Sequence, residues 1–196
     1  MEHLFKDTIN VLDRALRSVD QVRFEKLILE AKETLLSGGK IIASGLGKNV
    51  PICEKFVGTL WSLGLNAGFL HTNSAVHGDM GMVRSGDLVI LLTKSGATSE
   101  SVYLAHQLLK RQGVNIWLLT FNAHSPLVDL LGEGKCIVVE LEHEGDPWNI
   151  VPNDSTTVNL IILQTLAMRL AQELNLELER DFKPNHPGGA IGERLR

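Results

Sequence analysis

The residues best suited to chemistry in this chain begin with Thr93-Lys94-Ser95-Gly96-Ala97-Thr98-Ser99-Glu100, where four hydroxyl side chains surround one glycine. The five aliphatic residues Leu88–Leu92 precede this stretch, and Val102, Ala105, Leu108 and Leu109 follow it at helical spacing. The pattern predicts a buried strand, a polar turn and the start of a helix. Such a turn offers unpaired backbone N–H groups and the positive end of a helix dipole, and Gly96 would let a ligand approach the main chain. Hydroxyls of Thr93, Ser95, Thr98 and Ser99 could supply the remaining donors, which suits a phosphate monoester. The plainer reading is that Thr98 or Ser99 caps the helix while Glu100 complements its dipole. Neither a Walker A loop nor a G-x-G-x-x-G fingerprint is present.

Other reactive side chains also fall where strands are expected to end. Lys48 lies in the glycine-rich turn Gly45-Leu46-Gly47-Lys48, either as a solvated surface charge or as a holder of a hydroxyl, carbonyl oxygen or phosphate. Lys94 could add charge to the phosphate or point outward. His71 and His77-Gly78-Asp79 are too loosely spaced to be a strong metal signal. A histidine acting as proton shuttle or electrophile suits that segment as well. Glu142-His143-Glu144-Gly145-Asp146 carries three carboxylates in five positions and by composition reads as a solvated acidic loop. Asn153-Asp154-Ser155-Thr156-Thr157 is a helix-start signal. His186 is held in a Pro-Gly-Gly turn near the C-terminus, an unusual setting for a mere tail.

These residues need a scaffold that brings strand ends together. The chain has 196 residues, 44% of them hydrophobic and 21% charged, within the range of a soluble globular protein. A net charge of −4 argues against a nucleic-acid surface and provides no long-range attraction for an anion. Cys53 and Cys136 read as reduced, packed side chains. With no signal-peptide core and no run of the ~20 apolar residues that a membrane span needs, a cytoplasmic protein without a membrane partner is expected. Amphipathic helices are expected over residues 2–18 and from Asp20 to Gly38-Gly39, free to serve in packing or oligomer contacts. Strands follow at Lys40–Ser44, Asn66–His71, Asp87–Thr93, Asn115–Phe121 and Lys135–Leu141, with helices at about 50–63, 98–112, 125–131 and 155–174. Short aliphatic strands alternating with helices predict an α/β fold: a three-layer, doubly wound, five-stranded parallel sheet of flavodoxin-like type. One domain is expected, with N-terminal helices over 1–38 and the core and tail over 39–196.

Taken together, the motifs resemble the sugar isomerase (SIS) domain, and within it the arabinose 5-phosphate isomerase family. Gly45-Leu46-Gly47-Lys48, Ala75-Val76-His77-Gly78-Asp79-Met80-Gly81-Met82 and Thr93–Glu100 carry the resemblance, with Val151–Thr157, Asp181-Phe182 and His186-Pro187-Gly188-Gly189-Ala190-Ile191-Gly192. The chain departs from the family pattern at Lys94, at Ala97 and in the Gly-Asp-Pro that follows Glu144. Many family members continue into two CBS modules, and the chain reads as a form without them. The resemblance implies interconversion of D-ribulose 5-phosphate and D-arabinose 5-phosphate, feeding synthesis of Kdo for lipopolysaccharide or of capsule sugars.

Carried over by motif position, the resemblance implies active-site roles for Lys48, His77, Glu100, Glu144 and His186. Phosphate or substrate contacts would come from Ser44, Gly45, Thr93, Ser95, Gly96, Thr98 and Ser99, and Ser155 and Thr156 would help close the pocket. The expected route passes through a cis-enediol, with Glu100 as the carbon base, His77 as its competitor and Lys48 stabilising the enediolate. No cofactor or metal is required, although a histidine-lined pocket around His77 could bind inhibitory Zn²⁺. The family builds its sites at subunit contacts, so a homotetramer is expected, with His77 or His186 completing a neighbour's pocket. The rival readings are another phosphosugar isomerase of the SIS class and a non-catalytic phosphosugar-binding regulator.

Overall fold

The structure, a computed structural model, describes residues 2–195, with the side chains of Glu2 and Leu4 outside that description. All five aliphatic runs form strands: β1 (Ile41–Gly45), β2 (Ala67–His71), β3 (Leu88–Leu92), β4 (Asn115–Thr120) and β5 (Cys136–Val138). They make one parallel sheet in the order β2-β1-β3-β4-β5. In β1 and β3 every residue is buried, as expected of central strands covered on both faces. Side chains alternate between the two faces: Leu88, Ile90 and Leu92 join one core, while Val89 and Leu91 join the other.

Two helical layers cover those faces. On one side pack α2 (Gln21–Leu36), α3 (Asn49–Ser62) and α7 (Asp154–Glu173), with α1 (Glu2–Arg17) laid against α7. On the other pack α5 (Ser99–Leu109) and α6 (Pro126–Leu131), with the single turn α4 (Thr72–Ala75) beside them. The two leading helices therefore extend one layer of the expected three-layer sandwich. Asp20 caps α2 by accepting the Arg23 N–H at 3.0 Å.

Three local features differ from the sequence expectation. β5 spans only three residues: Val139 N–H still donates to Thr120 O of β4 at 2.9 Å, after which the chain leaves the sheet and Glu140 N–H donates to Ser18 Oγ at 2.8 Å. α5 ends at Leu109, and the chain turns back through Gly113 at φ 76°. The segment after Gly188 forms the short helix α8 (Gly189–Arg194) rather than a turn alone.

What matters for a ligand is the order of the strands. β1 and β3 are neighbours, yet α3 follows β1 onto one face and α5 follows β3 onto the other. Their connecting loops diverge and leave a crevice beyond the carboxyl ends of the strands, the usual ligand position in open parallel sheets.

Candidate active site

A cavity of about 260 Å³ fills that crevice, near the lower end of small-ligand pockets, roughly 300 Å³. Its walls include Lys48 and Asn49 from the β1–α3 turn, Lys94, Ser95 and Thr98 from the β3–α5 turn, and Ser155 from the start of α7. Thr98 occupies the N-cap of α5 with extended backbone, φ −62° and ψ 125°, but its hydroxyl makes no capping bond. The first intrahelical bond runs from Val102 N–H to Thr98 O at 3.0 Å. Hence the opening N–H groups of α5 lack backbone acceptors within the helix, that of Glu100 turning to its own carboxylate, and with the Thr98 hydroxyl, 3.4 Å from Ser95 Oγ, at the cavity wall they form a candidate anion site.

The loop itself is braced from within. Gly96 N–H reaches Thr93 Oγ1 at 3.3 Å, and Ala97 N–H reaches Ser95 Oγ at 3.2 Å. Gly96 has a role the sequence did not suggest. Its φ is 63°, and a Cβ there would stand 2.2 Å from Ser125 Oγ, so the glycine admits the N-cap of α6 rather than a ligand. Gly45 behaves similarly: a Cβ would lie 2.8 Å from the Asn49 Cβ, so the glycine lets α3 start tight against β1. Ser44 is buried with its hydroxyl on Thr72 Oγ1 at 3.2 Å, and it does not line the cavity.

Glu144 stands behind the cavity wall rather than in it. The residue is 0% exposed, yet its carboxylate is held below the usual range. Burial pushes it up, but the Lys94 ammonium, the Ser155 N–H and hydroxyl and the Asn153 N–H outweigh that effect. Lys94 Nζ approaches Oε1 at 2.6 Å, and Ser155 Oγ donates to the same oxygen at 2.7 Å. Oε2 accepts Ser155 N–H at 2.9 Å and Asn153 N–H at 3.1 Å. Thr156 donates to Asn153 O at 2.8 Å. The hydroxyls of Ser155 and Thr156 thus spend their protons on the protein, and toward a ligand they can only accept.

Glu100 and His77 meet in a second cavity of about 300 Å³, with Thr72, Val76 and Tyr103, between α4 and α5. The two cavities share the first turn of α5: Thr98 and Ser101 face one, Glu100 and Tyr103 the other. Glu100 keeps its carboxylate on its own N–H and on the Ser99 hydroxyl at 2.8 Å, and both lower its pKa. Ser99 is therefore a partner of Glu100 and lines neither cavity.

The comparisons with known proteins follow the same geometry. Residues 34–169 match the SIS domain. The chain belongs to the SIS domain family. It is 39% identical over 172 residues to the arabinose 5-phosphate isomerase KdsD of Pseudomonas aeruginosa, covering 85% of this chain and 50% of that protein. It is 32% identical over 190 residues to KdsD of Escherichia coli, covering 97% and 57%. The chain thus spans about half the length of the curated relatives it matches. A solved structure of an Escherichia coli CFT073 protein in complex with arabinose 5-phosphate superposes with a TM-score of 0.85 at 28% identity, covering 95% of each chain.

His186, beyond the residues that match the SIS domain, lies far from the crevice. Its ring stacks on Phe182 at 3.9 Å between centroids, and Nδ1 is 2.9 Å from Phe182 O. The adjoining Asn185 amide donates to Ser62 O and Asp181 O, which pins the tail at the C-terminal end of α3. Lys48 stands at the other end of that 14-residue helix, about 20 Å away at 1.5 Å per residue. Among the described residues no three His, Cys, Asp or Glu side chains converge as a metal ion would need, and no helix is long and apolar enough to cross a membrane.

Asn49 was missed by sequence reasoning. The buried Asn159 of α7 donates to Asn49 Oδ1 at 2.9 Å, which ties the N-termini of α3 and α7 together across the crevice. Asn49 itself lines the cavity. A polar residue in the first turn of a helix directly after a glycine-rich strand end was the available signal.

Proposed function

We propose that this SIS domain is an aldose–ketose isomerase acting on a phosphosugar, and specifically that it interconverts D-ribulose 5-phosphate and D-arabinose 5-phosphate. The observation that carries the reading is the uncapped start of α5 between Lys48 and Lys94, whose first turn also carries Glu100 toward His77. The phosphate binds the helix N-terminus and the reacting carbons extend from it. The names of the curated relatives and of the arabinose 5-phosphate complex support the same substrate.

In the aldose direction a base takes the proton from C2 of the open-chain aldehyde, leaving a cis-enediol. A proton returned to C1, with the O2 proton passing to O1, gives the ketose. Glu100 is the carbon base in this reading, with His77 beside it to carry protons between oxygens, and Lys48 steadies the enediolate. No redox cofactor takes part, because oxidation at one carbon is balanced by reduction at its neighbour. The distance of His186 from its own crevice supports a homo-oligomer, a tetramer in our reading, in which His186 serves a neighbouring copy. Formation of a precursor for Kdo or capsule sugars is the corresponding pathway role.

Incubation with ribulose 5-phosphate in deuterium oxide tests the proposal. Arabinose 5-phosphate carrying deuterium at C2, and recovered ribulose 5-phosphate carrying it at C1, are the expected products. A folded protein that binds the phosphosugar but exchanges no carbon-bound hydrogen is a sensor, not this enzyme. Exchange with a different ketose phosphate, and none with ribulose 5-phosphate, moves the assignment within the SIS class.

A further inference from the structure

Glu144 has no electron pair left for a substrate. Four donors, from Lys94, Asn153 and Ser155, occupy its two oxygens at 2.6–3.1 Å, which fills a carboxylate's strong acceptor positions. Being wholly buried and off the cavity wall, it cannot reach a C–H bond. What it does reach is the wall itself. Lys94 and Ser155 both line the crevice, and both are held by this one carboxylate.

Lys94 is 46% exposed at its side chain, while its partner is fully enclosed. An ammonium has three N–H bonds. One goes to Glu144, and the others remain for the crevice, on the residue between Thr93 and Ser95. An exposed lysine normally samples many rotamers, and binding an anion must then restrict it. Here the buried counter-charge has already selected the arm's direction. A phosphate entering a chain of net charge −4 gains nothing from the overall field and depends on such local charge.

We propose that Lys94 is a cation this crevice offers to the phosphate of the substrate, together with Lys48 on the wall formed by the β1–α3 turn, and that Glu144 is its positioning residue rather than an acid–base group. The proposal rests on the phosphosugar reading for its ligand but not on isomerisation. Glu144 also draws in the Asn153 and Ser155 N–H groups, so the same carboxylate fixes the β3–α5 loop and the first turn of α7 at one spacing.

The test is calorimetric titration with inorganic phosphate, arabinose 5-phosphate and unphosphorylated arabinose, together with steady-state kinetics. Lys94→Met is expected to weaken phosphate and arabinose 5-phosphate by about 10- to 100-fold, the range of a hydrogen bond to a charged group, and to leave arabinose unchanged. KM should rise more than kcat falls. Lys94→Arg should keep most of the affinity. Glu144→Gln should weaken phosphate in the wild-type background but add little to Lys94→Met, because the two act through one contact. Lys94→Cys alkylated with 2-bromoethylamine restores an ammonium without touching the buried Cys53 and Cys136, and affinity should return.

Unchanged phosphate affinity in a folded Lys94→Met protein overturns the proposal. So does a Glu144→Gln protein that binds normally but loses turnover a thousandfold, since that is the signature of an acid–base group. A wild-type protein that isomerises nothing, yet loses phosphate affinity on Lys94→Met, sinks the isomerase reading alone.

Discussion

Asp154 opens α7 with a carboxylate only half satisfied. Oδ1 accepts the Asn153 amide at 3.0 Å, whereas Oδ2 is buried without a partner. Burial raises its pKa, the Glu144 charge adds to that, and His143 opposes it. A carboxyl whose folded pKa exceeds its unfolded value, about 3.9, costs stability once charged. The cost grows as pH rises through the unfolded value and is complete above the folded one. Asp154→Asn is therefore expected to raise Tm by about 2–4 °C at pH 7, equivalent to ~1 kcal/mol for a domain of this size, with the gain gone near pH 3.5. Thermal melts at the two pH values check it, and an equal gain at both would mean that charge is not the cause. At this scale the hydroxyl loop was legible, because Thr93, Ser95 and Thr98 are adjacent in sequence. Glu144 was not. Its acidic neighbourhood reads as solvated, and the lysine that buries it stands fifty positions earlier, where spacing carries no information.

The strands were readable as elements because each is an unbroken aliphatic run, and the helices α2, α3, α5 and α7 because their apolar residues repeat at helical spacing. α4 and α8, of four and six residues, are shorter than any window in which periodicity can register. The reason for Gly96 was hidden too, since Ser125 belongs to the next helix but one in the chain. Its replacement is an element-scale experiment: Gly96→Ala forces φ 63° on an L residue and drives a methyl into the α6 cap. A loss of about 1–3 kcal/mol is expected from the strained backbone alone, with phosphate affinity falling as the loop shifts. Urea denaturation and phosphate titration measure the two effects. Wild-type stability would show that α6 yields without resistance.

The molecule as a whole places Lys48 and His186 at opposite ends of α3. The family resemblance left open whether His77 or His186 would serve a neighbour; residue spacing could not decide it, since the separation of His186 from the crevice follows from where the tail folds back. If neighbouring copies share sites, then Glu100→Gln and His186→Ala proteins, each inactive alone, should regain up to about a quarter of wild-type turnover per site when co-assembled, as random pairing leaves some crevices with both intact groups. Activity that never exceeds the sum of the two separate variants would assign every catalytic group to one chain.

α7 gives this arrangement a mechanical side. Its first turn, Ser155 and Thr156, forms part of the crevice, and its far end, 20 residues on, hands the chain to the segment that carries His186. A rod about 30 Å long thus has the crevice at one tip and, at the other, the segment whose His186 would serve a neighbour's crevice in an assembly with shared sites. In such an assembly the wall of one crevice and the histidine of the next would be the two ends of a single rigid element, so the spacing between neighbouring sites would be set by the length of α7.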